Sequence, residues 1–231
     1  MQIRGLNKTT LLDYPEHVAA TIFTGGCNFC CPFCHNADLV LRPQIIPEIS
    51  IDEILTFLKK RKGILTGVCI TGGEPTLQPS LESFIEEIKK LGYLVKLDTN
   101  GYKPDILKRL LENDLLDYVA MDIKNAKNKY EVTSGIKEIS ITNIEESVQI
   151  LMDSKIPYEF RTTVVRQLHN TEDFLEIGEW LAGAKAYFLQ AYRDDDGVIS
   201  KGFSSYEKEE MEEFAVLLRQ FIHRVELRGM D

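Results

Sequence analysis

The chain has 231 residues, 44% of them apolar, and carries 27 Lys and Arg against 36 Asp and Glu for a formal net charge of -9. That size and apolar content suit one domain with a sizeable core, because α/β barrels commonly run to this length, and the acidic balance argues against a nucleic-acid surface. No apolar stretch reaches membrane-spanning length and Met1-Gln2-Ile3-Arg4-Gly5 lacks a signal peptide's apolar region, so no membrane partner and a cytoplasmic location are expected.

After a short N-terminal extension over residues 1–16, apolar β-branched runs alternate with helical periodicities. Strands are expected at 18–24, 67–71, 94–99, 118–122, 158–165 and 186–190. Helices are expected at 51–60, 81–91, 105–113, 143–154, 172–182 and 206–222. S/T-x-x-E spacing at Ser50/Glu53, Thr142/Glu145 and Ser204/Glu207 marks helix starts as capping boxes. Such alternation builds a parallel sheet with right-handed crossovers. Six strand–helix units predict an α/β fold, a partial (β/α)6 TIM-like barrel, with 1–231 as a single domain free of repeats and low-complexity linkers.

The chemistry concentrates in a loop over residues 25–36, where Cys27-Asn28-Phe29-Cys30-Cys31-Pro32-Phe33-Cys34 holds four of the five cysteines. Zinc could use Cys27-x2-Cys30 and Cys31-x2-Cys34 as knuckles. Two knuckles need a spacer of about 15 residues to wrap one ion, and these abut. A disulfide suits a reducing compartment poorly and leaves the other two thiols idle. An iron–sulfur cubane is larger than one ion and accepts ligands from a single loop. Cys27-x3-Cys31-x2-Cys34 would supply three ligands and leave one iron open. Cys69, alone in an apolar run, reads as a core filler.

The remaining polar motifs fall at the ends of the expected strands. Gly72-Gly73-Glu74-Pro75 follows the second, Asp98-Thr99 ends the third and Asp122 the fourth, with Lys124 just beyond. Arg161 lies in the fifth and Gln190 ends the sixth. Barrel sites form at the C-terminal ends of strands, so these residues are expected to ring one cavity.

The string Gly26-Cys27-x3-Cys31-x2-Cys34-His35-Asn36, followed by Gly72-Gly73-Glu74-Pro75, resembles the radical S-adenosylmethionine superfamily, whose cluster motif is CxxxCxxC. Asp98-Thr99-Asn100-Gly101, Met121-Asp122-Ile123-Lys124, Phe160-Arg161-Thr162-Thr163-Val164-Val165, Asp13-Tyr14-Pro15 and Leu189-Gln190-Ala191-Tyr192 extend the likeness over nearly the whole chain. It is closest to glycyl-radical-enzyme activating proteins, in particular those serving anaerobic ribonucleoside-triphosphate reductase.

This resemblance implies a [4Fe-4S] cluster on Cys27, Cys31 and Cys34, with S-adenosylmethionine on the open iron and Cys30 a bystander. It places Phe33 near adenine and Asn36 beside the cluster, and makes Gly72, Gly73 and Glu74 neighbours of the methionyl group. The two glycines would let backbone approach it closely, and Glu74 would accept from its ammonium. Lys124 and Arg161 would take the methionyl carboxylate, against the alternative of a structural salt bridge with Asp98 or Asp122. Gln190 and Arg193 complete the implied cofactor contacts. In related activating enzymes the equivalents of Asp98, Thr99 and Asp122 hold a monovalent cation, Na+ or K+, as oxygen ligands suit. Strand-end carboxylates capping loops fit the same residues.

Other features have simpler explanations. His35 can bond loop carbonyls, and Lys59-Lys60-Arg61-Lys62 fits a helix C-terminus before Gly63. Asp194-Asp195-Asp196 reads as a solvated loop that could touch a partner, and Arg228-Gly229-Met230-Asp231 does not read as a glycyl-radical motif. The implied partners are therefore an anaerobic ribonucleotide reductase and an electron donor such as flavodoxin or ferredoxin. A small-molecule enzyme like 7-carboxy-7-deazaguanine synthase, an activase of another glycyl-radical enzyme, and a non-catalytic electron carrier are the alternatives.

Overall fold

A computed structural model describes residues 1–230; Asp231, the last residue of the terminal tetrapeptide, lies outside them. One eight-stranded sheet runs in chain order through β1 (Ile3–Thr10), β2 (Ala19–Thr24), β3 (Gly67–Gly72), β4 (Leu94–Thr99), β5 (Tyr118–Asp122), β6 (Tyr158–Val164), β7 (Tyr187–Ala191) and β8 (Val225–Arg228). β1 is antiparallel to β2, and every later pair is parallel. β1 and β8 are the two edges, so the barrel is open.

The helices are α1 (Ala37–Leu41), α2 (Ile51–Lys60), α3 (Leu81–Lys90), α4 (Pro104–Glu112), α5 (Tyr130–Ser134), α6 (Ile141–Met152), α7 (Thr171–Trp180) and α8 (Lys208–Leu218). The expected six strands are all present with nearly the expected bounds, and two more flank them. β1 occupies what reads as an extension, because Asn7, Lys8 and Thr9 are exposed and erase the alternation that marks a half-buried strand. β8 is only four residues long. Neither leaves a period strong enough to see.

Caps show a similar mixture. Ser50 and Glu53 form both bonds of the expected box. Thr142 does not cap, because α6 has already begun at Ile141 behind Ser140. At the last helix the box moves three residues, to Glu207 and Glu210. Ser204 is engaged elsewhere: Gln167 Nε2 donates to its hydroxyl at 2.9 Å and its own N–H donates to Gln167 Oε1 at 3.0 Å. An unanticipated box, Asn170 with Asp173, starts α7.

Strand alternation divides the sheet into two chemistries. Ile22, Ile70, Leu97, Met121, Phe160 and Leu189 are fully buried in the apolar layer under the helices. The intervening positions point into the barrel and are largely polar, among them Cys69, Lys96, Asp98, Asp122 and Arg161. Among the described residues no helix is long and apolar enough to cross a membrane.

β8 closes this polar interior with an ion pair. Glu159 on β6 is 1% exposed, and its carboxylate accepts from Arg228 Nη1 at 2.7 Å, from Arg228 Nη2 at 2.8 Å and from the Tyr118 hydroxyl at 2.8 Å. Burial pushes the Glu159 carboxyl up, but Arg228 and its neighbours outweigh it and hold the group below the usual range. Removing one partner of a buried pair strands the other charge. Glu159 is buried but Arg228 is 34% exposed, so Arg228→Ala should cost roughly 1–3 kcal/mol in urea unfolding at neutral pH. Because the folded-state value is depressed, the pair's contribution is fully present above the ordinary carboxylate range and is lost as pH falls from that range through the lower folded-state value. The wild-type advantage over Arg228→Ala should shrink in the same acid window.

Candidate functional site

The loop after β2 carries the cysteines and is pinned from several sides. Cys30 N–H donates to the Ser134 carbonyl at 2.9 Å, Gly26 N–H to that of Leu39 at 2.8 Å, and Ile199 N–H to that of Cys34 at 3.1 Å. Phe29 anchors it edge-on against Tyr102 and Tyr130. Gly135, at φ 70°, lets the end of α5 pass the Cys30 carbonyl where a Cβ would lie 2.1 Å from the oxygen.

Gly72 and Gly73 meet this same loop. Gly73 N–H donates to the Thr24 carbonyl and Glu74 N–H to the Gly26 carbonyl, each at 2.8 Å. A Cβ on Gly72 would sit 2.3 Å from Thr24 N, and one on Gly73 2.0 Å from Gly26 O. The double glycine is thus required first by the close approach of two protein backbones.

Glu74 is 1% exposed and organises the next loop. Its Oε1 accepts from Thr76 N–H at 3.0 Å and from the Thr76 and Thr99 hydroxyls at 2.6 and 2.8 Å, while Oε2 accepts from Asn100 N–H at 2.7 Å. Burial raises its carboxyl above the ordinary value although these donors work the other way. Oε2 retains acceptor capacity.

Two carboxylates and three cations line up inside the barrel. Arg161 bridges both acids, reaching Asp98 Oδ2 through Nη1 at 3.3 Å and Asp122 Oδ1 through Nε at 3.0 Å. Lys124 Nζ lies 3.0 Å from Asp122 Oδ2, and Lys96 pairs with Asp98 Oδ1. Burial alone would raise Asp122, but Arg161 and Lys124 prevail and hold it down at about 2. Asp98 is lowered in the same balance by Arg161 and Lys96. For Lys124, burial is overcome by Asp122, and the ammonium is held more firmly protonated than usual.

The expected ring of residues closes around one cavity of about 290 Å3. Cys27, Cys31, Phe33, Cys34, Asn36, Gly72, Gly73, Glu74, Asp98, Thr99, Asp122, Lys124, Arg161 and Gln190 all line it. Cys30 does not, and neither does Arg193, which is exposed and offers its carbonyl to His35 Nε2 at 2.6 Å. Asn36 Nδ2 donates to the Gly72 carbonyl at 3.1 Å, tying the cysteine loop to the glycine turn. Burial pushes the Cys27 thiol up to about 12 and the Cys31 thiol to about 11, with Lys124 opposing it in both.

Asn100, Thr71, Thr163, Phe29 and Val40 also line the cavity and were not anticipated as site residues. Thr163 had a signal, standing two positions beyond Arg161 on the same strand face. Val40 had none, because only tertiary folding returns the short α1 to the cavity. Gly73→Ala tests the backbone contact that shapes the site. The added methyl should cost about 1–3 kcal/mol in chemical unfolding.

Residues 21–181 match the sequence profile of the radical SAM superfamily. A Methanocaldococcus jannaschii protein named as a glycyl-radical enzyme activating enzyme is 30% identical over 238 residues, covering 99% of this chain and 96% of that protein. A Staphylococcus epidermidis pyruvate formate-lyase-activating enzyme is 30% identical over 171 residues, or 69% of this chain and 67% of that one. A radical SAM methyltransferase from Sphaerobacter thermophilus superposes with a TM-score of 0.70 at 15% identity, over 94% of this chain and 69% of that chain, a likeness of fold alone. A profile spanning most of the chain, a relative matching its full length and a cavity ringed by the CxxxCxxC and GGEP motifs together place this chain in the radical SAM superfamily, whose enzymes use a [4Fe-4S] cluster and S-adenosylmethionine.

Proposed function

We propose that the chain activates a glycyl-radical enzyme, with anaerobic ribonucleoside-triphosphate reductase as the partner, and that the cavity holds a [4Fe-4S] cluster on Cys27, Cys31 and Cys34 with S-adenosylmethionine beside it. One observation carries this reading: the three thiols of the spaced motif open on the same cavity as Lys124 and Arg161, and Cys30 does not. When bound, the reduced cluster supplies the electron that splits S-adenosylmethionine into methionine and a hydrogen-abstracting 5′-deoxyadenosyl radical.

The chain's residues bind and position. Three cations against two carboxylates leave the barrel array one positive charge in excess, and Lys124 and Arg161 present it to the cavity, where a methionyl carboxylate fits. Glu74 holds Thr99 and Asn100 in place and keeps one acceptor site on Oε2 for an ammonium. Asn100 Nδ2, 3.8 Å from Cys27 Sγ, stands as a donor beside the cluster thiolates. Phe33 supplies an apolar wall suited to adenine. His35 is bound to the Arg193 carbonyl and is assigned no proton transfer. Positioning of this kind is what a radical reaction asks of its protein.

The ribonucleotide reductase assignment rests on the Asp13-Tyr14-Pro15 and Leu189–Tyr192 strings, and a flavodoxin or ferredoxin is the proposed donor. Anaerobic reconstitution tests the whole reading. Cys27→Ala, Cys31→Ala and Cys34→Ala should each lose cluster iron and 5′-deoxyadenosine formation, whereas Cys30→Ala should keep both. Mixing the wild type with reductase should give a glycyl-radical signal in electron paramagnetic resonance. A signal on pyruvate formate-lyase instead would move the partner, and turnover of a pterin with no protein partner would replace activation by small-molecule chemistry.

A further inference from the structure

The residues implied for a monovalent cation do not fit one. All four oxygens of Asp98 and Asp122 are engaged by cations of the chain itself: Lys96 on Asp98 Oδ1, Arg161 on Asp98 Oδ2 and Asp122 Oδ1, and Lys124 on Asp122 Oδ2. Thr99, the third residue implied, has its hydroxyl engaged as well: it donates to Glu74 at 2.8 Å and accepts from Gly101 N–H at 3.1 Å.

Lys96 is the member of this array that the proposed reaction does not use. Its side chain is 2% exposed and does not line the cavity, so it is not available to a ligand there. It stands two residues before Asp98 on the inward face of β4, between Cys69 of β3, with Sγ at 3.8 Å, and Tyr118 of β5, whose ring centroid lies 6.0 Å away. Its one carboxylate partner among the described residues is Asp98. A buried ammonium is costly unless paired, and an Asp98 without it would have only Arg161, which is shared with Asp122.

We infer that Lys96 is a built-in counter-cation, a positioning residue that fills the place of a dissolved monovalent ion beneath Asp98, so that the array keeps a net positive charge at Arg161 and Lys124 where an anionic ligand group would enter. The occupancy of Asp98 stands on the side-chain geometry alone; its consequence for ligand binding rests on the proposed S-adenosylmethionine site.

Thermal melts of the full chain in sodium, potassium and tetramethylammonium chloride at equal ionic strength test the inference without cluster or substrate. The wild type should melt at one temperature in all three. Lys96→Met, similar in length and uncharged, should melt lower and regain roughly 2–4 °C in sodium or potassium relative to tetramethylammonium, as a bound ion would supply. Lys96→Arg should restore the indifference of the wild type. A saturable sodium or potassium response in the wild type would overturn the inference, as would a Lys96→Met protein equally stable in every salt. Should Lys96→Met not fold, the wild-type series still decides by the presence or absence of that response. S-adenosylmethionine cleavage by the reconstituted protein reads the site assignment separately, so the two can fail independently.

Discussion

Charges buried in a barrel must be matched within it, and here two carboxylates are shared among three cations. Arg161 is the hinge of the arrangement, since from β6 it alone touches both acids. Taking either acid away would leave buried positive charge poorly compensated, and taking Arg161 away would leave two carboxylates facing each other. The array therefore constrains β4, β5 and β6 to a register in which Asp98, Asp122 and Arg161 meet. That register brings the strand ends, and hence their loops, to a common cavity.

A second constraint joins the cavity's two halves. The Thr24–Gly26 backbone and the Gly72–Gly73 turn approach so closely that no Cβ fits between them, and their hydrogen bonds extend the β2–β3 ladder past the end of the sheet. Glu74 then carries the link onward to Thr99 and Asn100 at the end of β4. A chain of contacts thus runs from the cysteine loop through the glycine turn to the carboxylate strands. Positions in this path are coupled by geometry, which explains why the glycines' main demand is the protein's own backbone rather than a ligand.

The likeness to other proteins divides by level. Superfamily, cofactor pair and enzymatic class follow from a profile over residues 21–181 and a relative matched along its full length. The identity of the protein partner is a different kind of question, because a relative at 30% identity is named only as an activating enzyme of glycyl-radical enzymes, while another is named for pyruvate formate-lyase. The loop carrying Asp194, Asp195 and Asp196 is exposed, and such loops obey no packing rule that would let their sequence be read as structure.

Sequence alone determined the six central strands, the CxxxCxxC spacing with Cys30 set apart, and the convergence of Glu74, Asp98, Asp122, Lys124, Arg161 and Gln190 on one face. These are legible because alternation, thiol spacing and strand-end position are local properties of the chain. Only the tertiary structure decided that the sheet has two further strands, that Arg193 turns out to solvent while Asn100 and Val40 turn in, and that Lys96 lies against Asp98. The polar β1, the four-residue β8 and the lysine between Val95 and Leu97 carry no periodic signal of their own. Their roles come from neighbours far away in sequence, and pairing of buried charge is a property of the packed barrel rather than of any one segment.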